Sequence, residues 1–227
     1  SHREETPFFI AEETKKILRE EVIPFWKGRT VFDRIMENAP KKALAAADEG
    51  LFFHYYLDRS IGHISVNYEK VLCLGFVGIK SKIAKYQAQL SKDQNDYSTK
   101  NDFYNALTMV ADAAIAFAGR YADAASAAAV ECRDPARCDE LATIARTCRR
   151  VPEHPANSLA EALQSFWFVH LILNLESNAY AISPGRFCQY IHPYDQAELE
   201  QNTIDQTHAQ ELIDCLWIKF NELTVVK

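Results

Sequence analysis

Long apolar runs are missing from this 227-residue chain: no stretch of eighteen apolar residues occurs, so the sequence carries no signature of a membrane-crossing helix and no membrane partner is expected. The opening residues, SHREETPFFI, lack the basic-then-apolar order of a secretory signal, which makes a cytoplasmic location the default expectation and gives Ser1-His2 the look of a tag remnant. Positive charge is also short. Lys and Arg number 25 against 31 Asp and Glu, for a formal net charge of -6 and a pI near 5.7. Nucleic acid is gripped by clustered Lys and Arg, so no nucleic-acid partner is expected. None of the six cysteines belongs to a C-x-x-C pair, and their scatter excludes a disulfide framework. Cys132, Cys138 and Cys148 with His154 match no standard zinc spacing, so no metal site is expected.

Glycine is scarce, at 7 residues, while Ala, Leu, Glu and Lys are plentiful, and those side chains lose little entropy in a helix. Helical periodicity covers most of the chain. IAEETKKILREEVIPFW reads as a first helix with Pro24 as an end or kink; DRIMENAPKKALAAADEG breaks at Pro40 and stops at Gly50. A dense aromatic run at 51–57 precedes a loop or short extended piece over 60–65. Asn67 is the expected N-cap of a helix whose face carries Val71, Leu72, Gly75, Phe76 and Ile79. SKDQNDYSTKND reads as a polar connector before a long alanine-rich helix from Phe103, and Asp134-Pro135 opens the next helix. Ser158 and Glu161 have the capping-box form ahead of a helix that is apolar around nearly its whole circumference from Phe166 to Leu175, which implies burial on all sides. A final amphipathic helix starts near Ile204.

Chemistry concentrates in two short spans. Arg59 to His63 follows the aromatic run, and the segment NAYAISPGRFCQYIHPYD, residues 178 to 195, crowds a Pro-Gly turn, an arginine, a cysteine and several rings together. Each has a structural explanation when taken alone. His63 after Gly62 fits a turn, Tyr55 and Tyr56 fit packing, Ser183 before Pro184 fits a turn, and Arg186 fits a carboxylate pair.

The set carries more weight than its members. EVIPFWKGRT at Glu21 to Thr30, GHISVNYEKVL at Gly62 to Leu72, EALQSFWFVH at Glu161 to His170 and LESNAYAISPGRFCQY at Leu175 to Tyr190 together resemble the glycyl radical enzymes, in the branch of glycerol dehydratase that is grouped with pyruvate formate-lyase. The blocks come in the family's order and span nearly the whole chain. The resemblance implies a single pyruvate formate-lyase-type domain over 1–227. It implies a mainly α chain, the helical N-terminal part of an α/β barrel, truncated before the catalytic cysteine loop. It also implies roles: His63 as the catalytic residue facing the substrate hydroxyl that leaves, with Tyr55 as a pocket wall and Ser183 as a hydroxyl-holding residue. Full-length members carry a glycyl radical installed by an S-adenosylmethionine-dependent activase, and no bound cofactor is expected besides.

The chemistry suits these residue types. An imidazole with an ordinary pKa of about 6.5 can protonate a departing hydroxide near neutrality, and a serine hydroxyl can orient an alcohol without carrying charge. The chain departs from the family pattern at three places: Ala179 and Tyr180 stand for Gly-His, Cys188 stands for the Asp of R-x-D-Q-Y, and His192 sits where tyrosine is common. Loss of that aspartate removes the expected partner of Arg186. Two further motifs are absent. No cysteine lies in the G-C-x-E context of the thiyl residue, and the Arg150-Val151 pair is followed by Pro152 and Glu153 rather than by the x-Gly of R-V-x-G. The expectation is therefore the substrate-pocket part of a dehydratase-like radical lyase acting on a small hydroxylated molecule. Alone it would be inactive, completed by the missing C-terminal half or a companion chain, and prone to form a homo-oligomer through uncovered apolar surface. A non-catalytic helical scaffold derived from the same family is the alternative.

Overall fold

The computed structural model describes residues 10–51, 64–93, 95–177 and 182–223. Its contacts divide the chain into two compact units, Ser1–Ser60 and Ile61–Lys227. The described residues are almost entirely helical, and their β structure is one isolated parallel bridge.

In the first unit, α1 (Glu12–Ile17) passes through a π-helical turn, Leu18–Val22, into α2 (Ile23–Trp26). Of the two expectations for Pro24, an end or a kink, the end is not seen: the helix runs through it. Its missing N–H and its ring disturb the bond to the carbonyl four residues back, and a wider turn just upstream accommodates that. Thr30 then caps α3 (Val31–Asn38) through a complete capping box with Asp33, and Pro40 separates it from α4 (Lys41–Asp48). The left-handed Gly50, at φ 75°, closes α4 as the sequence predicts.

The second unit is built on α8 (Leu159–Ser177), which packs against α5 (Tyr68–Ala88), α6 (Tyr97–Glu131), α7 (Pro135–Arg150), α9 (Phe187–Glu200) and α10 (Gln206–Lys219). Five neighbours explain why its apolar residues run all the way round. Leu159, Ala162, Leu163, Phe166 and Phe168 are buried, but burial fades along the helix and Leu175 is 65% exposed. The cap of α8 is shared. Ser158 Oγ accepts the Glu161 N–H at 3.2 Å, the Glu161 carboxylate accepts from Asn157 N–H rather than from Ser158, and Glu198 of α9 accepts the Leu159 N–H at 2.6 Å. Two orphan amides of the helix start thus find oxygen, one of them from another helix.

Two sequence expectations need correction. The long helix α6 begins at Tyr97, six residues before Phe103, so half of the supposed connector is helical. Small residues at Ala111, Ala114, Ala118, Ala122 and Ala125 make its buried stripe, which lets α7 and α8 approach closely. The helix α5 is interrupted at Gly75, whose φ of 59° and ψ of 172° break the run. The peptide groups freed there are taken by the loop after α7: Phe76 and Val77 N–H donate to the carbonyls of Pro152 and Glu153, and the Leu72 carbonyl accepts from Ala156 N–H. A Cβ at Gly75 would lie 2.3 Å from the Glu153 carbonyl oxygen, so only glycine permits this crossing.

Candidate functional site

Two of the blocks that carry chemistry meet at the isolated bridge. Ser65 pairs in parallel with Ser183, and the Ser183 N–H donates to the Ile64 carbonyl at 2.8 Å. The turn that follows is built by its own residues. Ser183 Oγ accepts the Gly185 N–H at 3.0 Å, Gly185 is left-handed at φ 67°, and the Tyr190 hydroxyl donates to the Pro184 carbonyl at 2.7 Å. A Cβ at Gly185 would stand 2.6 Å from Ser65 Oγ, so the glycine also sets how near the two strands come.

Behind the bridge lies an aromatic cluster. The hydroxyl of Tyr68, the first residue of α5, hydrogen-bonds Nδ1 of His170 at 2.8 Å, and the Phe166 ring sits 4.5 Å from the Tyr68 ring and stacks on that of His170 at 5.6 Å. Tyr190 closes the group, 6.0 Å from Tyr68 and 6.3 Å from Phe166. Burial keeps both members of the hydrogen-bonded pair neutral: it pushes His170 down to about 4 and pushes Tyr68 up. The block at 161–170 therefore supports the other two from beneath. Sequence reasoning did not single out Tyr68, His170 or Tyr190. The available signal was the four-residue spacing of Phe166 and His170, which puts both on one helix face.

In front of the bridge a half-open, mainly polar cavity of about 250 Å³ lies between the first turns of α5 and α9, lined by Ser65, Asn67, Glu69, Pro184, Arg186 and Gln189 among others. Asn67 caps α5 as expected, accepting the Lys70 N–H at 3.0 Å. Arg186 is exposed and has no carboxylate partner among the described residues, in keeping with Cys188 at the position of the family's aspartate. Ser183 is exposed, and its oxygen serves the turn. His63 and Tyr55 lie outside the described residues, as do Ala179 and Tyr180; the neighbour of His63, Ile64, is the residue bonded to Ser183.

Among the described residues no cluster of His, Cys, Asp or Glu could hold a metal ion, and no helix is long and apolar enough to cross a membrane. Three of the four blocks that resemble glycyl radical enzymes thus converge in one unit. The whole chain, residues 1–227, matches the family model described as pyruvate formate lyase-like. The chain belongs to that family. It is 36% identical over 217 residues to the trans-4-hydroxy-L-proline dehydratase of Clostridioides difficile, an alignment that takes in 94% of this chain and 27% of the dehydratase. Its fold superimposes with a TM-score of 0.84 and 37% identity on the glycerol-bound B12-independent glycerol dehydratase of Clostridium butyricum, covering 97% of this chain and 28% of that one. A glycyl radical enzyme from Archaeoglobus fulgidus gives a TM-score of 0.80 at 30% identity, with the same coverage. The pyruvate formate lyase-like chain therefore has the mainly helical architecture of the N-terminal portion of a glycyl radical enzyme, and it spans about a quarter of the length of these relatives.

Proposed function

We propose that this chain forms the substrate-pocket portion of a dehydratase-like glycyl radical lyase, one that eliminates a group from a small hydroxylated molecule. The parallel pairing of Ser65 with Ser183 carries the reading, because the Ser183 N–H donates to the carbonyl of Ile64, the residue next to His63 in the chain. His63 is the catalytic acid in this proposal, protonating the oxygen that departs, and Tyr55 forms a wall of the pocket. Ser183 orients a substrate hydroxyl. Its oxygen already accepts the Gly185 amide, which leaves its own O–H to donate outward. The hydroxylated substrates named for the hydroxyproline and glycerol relatives supply the class.

The family's glycyl radical, acting through a cysteine thiyl, would supply the hydrogen-atom abstraction that starts such eliminations. Neither the G-C-x-E context of the family's cysteine nor the R-V-x-G context of its glycine occurs among the 227 residues, so in this proposal the portion is inactive by itself and is completed by the missing C-terminal half or a companion chain. Two measurements test the proposal. Anaerobic treatment of the purified chain with a radical-generating activase and S-adenosylmethionine is expected to give no glycyl signal in the EPR spectrum, and a doublet overturns the inactivity. Titration with glycerol, followed by NMR with labelled histidine and serine, is expected to shift the resonances of His63 and Ser183 together. Unchanged resonances at both would leave a helical scaffold as the function.

A further inference from the structure

The turn that joins α6 to α7 holds two of the six cysteines. Cys132 is the first residue past α6, and Cys138 lies in the opening turn of α7. Asp134 caps α7 by accepting the Ala136 N–H at 3.1 Å, and a capped helix start folds the incoming chain back over its own first turn. Both sulfurs are drawn to the same turn as a result. Cys138 Sγ lies 3.3 Å from the Cys132 carbonyl oxygen, and Cys132 Sγ lies 3.4 Å from the Asp134 carbonyl oxygen. Both are free and partly exposed, whereas Cys148 is buried.

We propose that Cys132 and Cys138 form a redox-active dithiol that closes to an intramolecular disulfide on meeting a small-molecule disulfide of the glutathione type. The Cys132 thiolate attacks one sulfur of the oxidant, whose S–S bond breaks to release a first thiol and leave a mixed disulfide on Cys132. Cys138 then gives up its proton and displaces the second small thiol, forming the Cys132–Cys138 bond. Two protein thiols are oxidised, one disulfide is reduced to two thiols, and the two protons leave with those thiols. Hydrogen bonding with the Cys132 side chain, then burial, hold the Cys138 thiol above the usual cysteine range. Cys148 does not compete, because burial pushes it up to about 11.

The test is a peptide map. The purified chain is incubated with oxidised glutathione, remaining thiols are alkylated, and the protein is cut with trypsin without reduction. Arg133 and Arg137 put cleavage sites between the two cysteines, so the bond is read as two joined peptides lacking two hydrogens. The joined species is expected in the unaltered chain, and a lasting glutathione adduct on Cys132 is expected in Cys138→Ser. Separate adducts or alkylated thiols at both positions in the unaltered chain overturn the proposal. A second readout does not depend on any variant: phenylarsine oxide, which needs two adjacent thiols, is expected to protect Cys132 and Cys138 together from alkylation, and failure to protect them overturns it equally.

Discussion

The Tyr68 hydroxyl and Nδ1 of His170 lie 2.8 Å apart inside the core, joining the start of α5 to the middle of α8. Burial of this pair makes stability depend on pH. His170 titrates near 4 in the folded chain, against about 6.5 when unfolded, so the unfolded state binds its proton first as pH falls. The stability from this group is fully present above about pH 6.5 and is lost progressively down to about pH 4. At about 1.4 kcal/mol for each unit, the loss amounts to about 3 kcal/mol. Urea unfolding at pH 7 and pH 4.5 checks this, and His170→Gln is expected to flatten that part of the profile.

Gly75→Ala is expected to be severely destabilising, by about 3 kcal/mol or more, since it combines a left-handed backbone with a Cβ placed 2.3 Å from a carbonyl oxygen. Thermal unfolding reads the loss. Gly28→Ala is the control, because its added Cβ meets nothing within 4 Å although its φ is also positive, at 77°. A much smaller drop there separates the cost of the backbone from that of the contact.

Arg186 has no acidic partner among the described residues, and Cys188 is exposed at the second position of α9. Cys188→Asp is expected to stabilise the chain by about 0.5–1 kcal/mol, from a solvent-screened pair with Arg186 and from negative charge in the first turn of a helix. The gain is expected to shrink as salt is raised. An equal gain at high salt in urea titrations would rule out an electrostatic origin.

Apolar side chains of the second unit stand in solvent: Leu175 is 65% exposed, Ile218 67% and Trp217 46%. Concentration-dependent self-association is expected in sedimentation velocity, and Ile218→Glu is expected to weaken it several-fold. A monomer at every concentration would show that these residues do not associate with one another.

Local signals named most of the helices. Asn67, Asp134 and Ser158 start helices where capping chemistry says they should, and Gly50 and the Pro184-Gly185 turn fall at the predicted boundaries. The misses have one cause. Tyr97 to Asp102 looks like a connector because its residues are polar, yet Gln87 of α5 donates to Asn101 at 2.9 Å, a contact from another helix that local composition cannot reveal. The exposed Ser183 was legible as a turn residue and Ser65 as part of a loop or short extended piece, while their pairing was not.

The residues alone determined the helical class, the family and the unusual Cys188, because these depend on periodicity, caps and motif order along the chain. Only the tertiary structure decided that α5 breaks at Gly75, that Tyr68 meets His170 and that Ser65 meets Ser183. Those pairs join residues tens to more than a hundred positions apart, and such meetings are set by which backbones pack closely enough to exchange hydrogen bonds, a quantity no local pattern encodes.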